Sequence, residues 1–96
     1  MGITVYISIG NSDDKLTQTQ WSEFWIAMAA EVVSLAQKTH GAWFSNPAGP
    51  WQNACWCVEF TSEAAEKTAR YAATEVRKLF RQDSVAWAVV PETEFI

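Results

Sequence analysis

The sequence is poor in the residues that carry most enzyme chemistry. It holds one histidine, His40, and two cysteines, Cys55 and Cys57. A structural zinc needs about four well-spaced ligands, so this set argues against one. The cysteines stand two apart in a strand-like run, at the outer limit for a disulfide, and read as reduced thiols of a cytosolic protein. There is no Ser/His/Asp set, no nucleophile beside a base, and no carboxylate pair with a visible partner acid. His40 falls where a helix is expected to end, which favours capping over catalysis. The expectation is a protein that is not an enzyme and needs no metal or cofactor.

Positive charge is also scarce. Seven Lys and Arg face eleven Asp and Glu, a net charge of −4. Such a domain exerts no general pull on a phosphate backbone. The one basic cluster, Arg70, Arg77, Lys78 and Arg81, lies near the end of a helix, where cations complement the dipole. Nucleic acid is therefore not an expected partner. No apolar run approaches the roughly 18 residues of a membrane span. The opening Met1-Gly2-Ile3-Thr4 lacks the basic stretch and cleavage site of a signal peptide, and Tyr6 stands where a myristoylation signal has Ser or Thr. The expected location is the cytoplasm.

What is present is apolar. Hydrophobic residues make up 49% and charged ones 19% of 96 residues, enough for one core and too few for two. Residues 3–9 alternate, with Ile3, Val5, Ile7 and Ile9 on one face of a strand. Thr17 and Gln20 fit a capping box that opens a helix. Trp21, Trp25, Met28, Val32 and Leu35 then recur at helical spacing, which predicts a helix ending at His40-Gly41. A short strand follows over 42–45, then a loop over 46–53 broken by Pro47, Gly49 and Pro50. A third strand covers 54–60. Thr61-Ser62 caps a second helix to about Gln82, with Ala65, Ala69, Ala72, Val76 and Leu79 or Phe80 on its apolar stripe and Glu66–Arg70 on its wet side. A last strand covers 84–90, and 91–96 is a tail.

This order is β-α-β-β-α-β, an α+β fold of the ferredoxin-like split type spanning 1–96. Right-handed crossovers give a four-stranded antiparallel sheet of order 4-1-3-2, with both helices on one face. That topology sends three connections to one rim, so the stretch Gly10-Asn11-Ser12-Asp13-Asp14-Lys15-Leu16-Thr17 faces the loop before the third strand. Asn11, Ser12, Asp13, Asp14, Lys15, Trp51, Gln52 and Asn53 are accordingly the candidate ligand-binding residues. Trp51 is expected to stack, Lys15 to answer a phosphate, and the amides and carboxylates to read polar edges. The competing view is structural: Asn, Ser and Asp form turns, and two carboxylates are few oxygens for a metal.

Six tryptophans exceed what a small core needs. Trp21, Trp25 and Trp56 fit core faces. Tyr6, Trp43 and Trp87 are assigned to the sheet face that the helices leave open, and to an interface between copies, since such a face is a liability on a monomer. A stacking platform for bases is the alternative, but no basic residues are expected around this face.

The segments "VYISIGNSDDKLTQTQW" and "HGAWFSNPAGPWQNACWCVEF" resemble a group of small uncharacterised proteins of actinobacteriophages, mycobacteriophages among them. The resemblance implies a phage accessory protein acting in the host cytoplasm by stoichiometric binding. Sequestering a nucleotide-like defence signal is the first expectation, and inhibiting a host protein the second. A small enzyme of the dimeric α+β barrel type, to which this topology also belongs, is the third.

Overall fold

The computed structural model describes residues 2–11, 14–91 and 96. Strand β1 is Ile3–Gly10, helix α1 Gln18–Glu31, strand β2 Lys38–Phe44, strand β3 Asn53–Phe60, helix α2 Glu63–Leu79 and strand β4 Ala86–Val90. The four strands form one sheet in the order β2-β3-β1-β4, and every pairing is antiparallel. This is the expected split topology. No described helix is long and apolar enough to cross a membrane.

The period-two pattern of β1 puts Val5, Ile7 and Ile9 under the helices, and β3 adds Ala54, Trp56, Val58 and Phe60 beside them. Helix α1 meets this layer with Trp21, Phe24 and Met28, while α2 brings the small Ala69 and Ala73 with Val76. Large side chains from one helix and methyl groups from the other interdigitate without either helix being pushed off the sheet. Phe24 has no exposed surface and its ring centroid lies 5.1 Å from that of Phe80. Burying a side chain of that size contributes about 1.5–3 kcal/mol.

Helix boundaries follow caps rather than periodicity. Thr17 Oγ1 accepts from Gln20 N at 3.2 Å, and Gln20 Oε1 accepts from Thr17 N at 2.9 Å, the reciprocal box read in the sequence. The far end departs from expectation. Helix α1 stops at Glu31, a single 3-10 turn covers Val33–Leu35, and the chain is already extended at Ala36. Val32 and Leu35 keep helical spacing, but β3 needs a partner along its length. Gln37 N donates to Glu59 O at 2.9 Å and Lys38 pairs with Glu59, so strand pairing takes over 38–41. Gly41 ends no helix. It lies opposite Cys57 beside a register shift after Thr39, and no described glycine has positive φ. His40 is a strand residue, its Nε2 3.2 Å from Glu59 Oε1.

The end of α2 is also earlier than expected. Arg81 N donates to Lys78 O and Gln82 N to Arg77 O, the paired bonds of a Schellman motif. Its left-handed position is filled by Arg81, φ 55°, where glycine is usual. Leu79 is consequently turned out and 78% exposed, while Phe80 packs inward.

Two further expectations are corrected here. Glu66 is buried, not on the wet side of α2. Trp87 pairs with Ile7 and so faces the helices, not the open face. Its ring stacks on Phe60 at 6.0 Å and its Nε1 donates to Glu66 Oε2 at 2.7 Å, with Arg70 Nε 3.8 Å from the same oxygen. An indole N–H needs a partner when it is buried, and this carboxylate supplies it.

Replacing Trp87 by Phe keeps the ring stack and removes the donor. The expected cost is about 1.5–3 kcal/mol in urea denaturation, the range for a hydrogen bond to a charged group. A Trp87→Phe/Glu66→Ala double-mutant cycle should return a coupling of that sign; additive effects would show that the bond contributes nothing.

Candidate functional site

Three connections converge at one end of the sheet, joined by two hydrogen bonds and an ion pair. Asn11 N donates to Gln52 O at 2.8 Å, Trp51 N to Asp14 Oδ1 at 3.3 Å, and Lys15 Nζ lies 3.6 Å from Asp83 Oδ2. The stretch after β1 therefore does face the loop before β3. All three described non-glycine residues with positive φ lie on this rim: Asp14 at 49°, Trp51 at 58° and Arg81 at 55°. For a residue as bulky as Trp, that conformation costs energy and persists only where neighbours over-determine it.

Asn11 is 2% exposed. Its Nδ2 donates to Leu16 O at 3.1 Å and its Oδ1 accepts from Leu16 N at 2.9 Å. Both ends of the amide are thus spent on clasping the loop into α1, and Asn11 is a structural residue rather than a reader of ligand. Gln52 is equally buried, at 2%. Its carboxamide pairs with that of Gln18: Gln52 Nε2 donates to Gln18 Oε1 at 2.9 Å, and Gln18 Nε2 donates back to Gln52 Oε1 at 3.0 Å. Gln52 Nε2 also donates to Pro47 O at 3.2 Å.

This amide pair lines a cleft of about 360 Å³ between α1 and the loop before β3. Trp21, Trp25, Phe44 and Pro47 give it apolar walls, and Gln18, Ser22, Ser45, Gln52 and Asn53 give it polar points. Phe44 crosses Trp25 and Trp56 edge-to-face at 5.2 and 5.8 Å, which fixes the wall. The volume lies within the usual range for small-molecule sites, about 300–1,000 Å³. All five polar contributors are neutral amides or hydroxyls.

The expected ligand residues thus separate. Gln52 and Asn53 line this cleft. Lys15 lines a different one, of about 620 Å³, with Leu16, Glu23, Phe80 and Arg81. Asp14 holds the Trp51 backbone, and Trp51 itself is 62% exposed on the rim outside both linings. Ser12 and Asp13 lie outside the described residues. Among the described residues, no three His, Cys, Asp or Glu are placed to hold a metal ion.

Sequence reasoning assigned Trp21 and Trp25 to the core and the Thr17–Gln20 stretch to a helix start, and so missed the cleft. The signal was there: positions 18, 21, 22 and 25 share one helix face and alternate amide, indole, hydroxyl, indole. A purely buried stripe carries no such polar half.

On the open sheet face, Tyr6 and Trp43 are 45% and 58% exposed, around a shallow hollow with Gly41, Cys55 and Cys57. Its neighbour Cys57, first through hydrogen bonding and then through charge, raises the Tyr6 phenol above the ordinary tyrosine range. Lys38 and His40 stand at the margin of the face beside Glu59, so it is not free of basic groups as expected.

No protein-family model matches the chain, and no curated protein matches its sequence. A solved structure does share its architecture. Hydroxynitrile lyase from Passiflora edulis aligns over 98% of this chain and 96% of that one, with a TM-score of 0.60 and 19% identity. At that identity the likeness is one of fold: an α+β arrangement that the two chains hold in common over almost their whole lengths.

Proposed function

We propose that the protein works by stoichiometric binding, and that its ligand is a small, flat, uncharged molecule with polar edges, held between α1 and the loop before β3. The carrying observation is the cleft's lining, which pairs aromatic walls with neutral amides and hydroxyls. Stripping water from a charged ligand there would be costly, because nothing in the lining compensates it. A nucleotide-like ligand narrows accordingly to its base. The cations that would answer a phosphate, Lys15 and Arg81, belong to the neighbouring cleft. Taken with the sequence resemblance to actinobacteriophage proteins, this reading becomes the sequestering of a small signal in the host cytoplasm.

Nucleobases and nucleosides should raise the melting temperature, and should perturb the Trp21 and Trp25 fluorescence. Trp25→Ala should weaken the binding about 5- to 150-fold, the worth of one stacked ring at ~1–3 kcal/mol. A flat screen across uncharged heterocycles would remove the reading and turn the search to host proteins.

A catalytic reading has one observation in its favour, the enzyme that shares the fold. Cleaving a hydroxynitrile requires a base to take the hydroxyl proton, and the cleft lining offers only amides and hydroxyls besides its apolar walls. Purified protein given a hydroxynitrile should release no cyanide above the buffer blank; release would move the assignment to catalysis.

For the open sheet face we infer a second copy of the chain as partner. Its centre is Tyr6, Trp43, Cys55 and Cys57, and its margin carries both Lys38 and Glu59, so two copies related by a twofold axis can oppose unlike charges. Sedimentation velocity should find a dimer that Trp43→Glu converts to monomer with an unchanged circular dichroism spectrum. A monomeric wild type would leave this face to a host protein.

A further inference from the structure

We infer that Gln18 is a placeholder for the ligand, and that Gln52 reads a lactam-type edge: an N–H donor next to a carbonyl acceptor on one flat ring. The inference rests on the cleft being the binding site.

The two amides differ in freedom. Gln52 is 2% exposed and its Nε2 is tied to Pro47 O at 3.2 Å, which settles which end of the carboxamide donates and which accepts. Gln18 is exposed at the first position of α1, and among the described residues no side-chain hydrogen bond other than the pair with Gln52 holds its carboxamide. When Gln18 rotates to another rotamer, the cleft is left with one N–H and one C=O of Gln52 side by side, between the walls of Trp21, Trp25 and Phe44. A buried donor and acceptor in that state must both be met.

Only one ligand pattern meets them as Gln18 does. It presents an acceptor to Nε2–H and a donor to Oε1, at the spacing of a cis amide, on a body flat enough for the aromatic walls. Lactam, imide and cyclic urea rings carry it. A ring with only the carbonyl leaves Oε1 facing an unmatched group, and sites built to hydrogen-bond strongly reject analogues that lack the partner. The exchange is close to even in hydrogen bonds, so affinity comes from the buried ring and selectivity from the edge.

The test uses 2-quinolone and N-methyl-2-quinolone, in which a methyl group replaces the donor hydrogen, titrated against the whole protein by NMR at the Trp21 and Trp25 indole N–H signals. 2-Quinolone should bind about 5- to 150-fold more tightly, as one unpaired buried group implies. Gln18→Ala removes the competitor and should tighten 2-quinolone binding about 2- to 10-fold while 2-quinolone stays the tighter of the two probes. Gln52→Leu should erase the difference between the two. If both probes bind alike, or if Gln18→Ala weakens 2-quinolone, the lactam assignment is wrong while the cleft remains a binding site. If neither binds, the cleft reading falls and this inference with it. Gln18→Ala sits at an exposed helix start, so it tests the idea even if Gln52→Leu does not fold.

Discussion

The rim depends on one buried carboxamide. Gln52 joins three parts of the chain: its backbone carbonyl takes the Asn11 N–H, and its side chain takes Gln18 of α1 and Pro47 of its own loop. A buried amide left half-paired costs about 1–3 kcal/mol, so each of these bonds needs a partner in place. The rest of the loop follows from them. With Gln52 turned inward and Asn53 already in the β3 ladder, the chain has to reverse at residue 51. Trp51 accepts a left-handed backbone and projects outward, and Asp14 across the gap takes up its N–H. What reads in sequence as a polar turn with an exposed aromatic is, in three dimensions, the outer skin of a packed hydrogen-bond network.

The layout also separates charge from apolar surface. One cleft beside the 11–17 connection holds Lys15, Glu23 and Arg81, and the other holds no ionisable group at all. The two are reached from opposite sides of the start of α1. A molecule with an ionic part and a ring part would have to span that helix start to use both, which makes them separate places rather than halves of one site. The lone buried carboxylate of the described core, Glu66, is far from idle: it stands between the Trp87 indole and Arg70 and orients the ring that closes the β4 side of the core.

The fold was legible because its signals are redundant. Alternation in β1 and β3, the Thr17–Gln20 box and the Ser62 cap each point to the same elements, and topology rules do the rest. The errors fell where one signal was local and the deciding force was not. Val32 and Leu35 continue a helical stripe, yet β3 draws 38–41 into the sheet. Trp87 could take either face by composition, and the register that sets it beside Ile7 turns it toward Glu66, 21 positions away. At the site, Asn11 is a polar residue with both ends of its amide committed to Leu16 inside the protein. Residue type alone does not distinguish such an amide from one that waits for a ligand.

The central place of β1 bears on how the chain acquires its structure. Its partners are β3, where Ile3 meets Phe60, and β4, where Thr4 meets Val90. Of the four strands of this sheet, the first to be made is therefore the last to be flanked on both sides. Until β4 arrives, one edge of β1 stays open, and its Val5, Ile7 and Ile9 face cannot be closed by the Trp87 side of the core. Long-range closure of this kind slows folding, because the entropy of a large loop is lost before the contacts that offset it form. The domain should accordingly close in a late step, once β4 is free to pair, rather than strand by strand as synthesis proceeds.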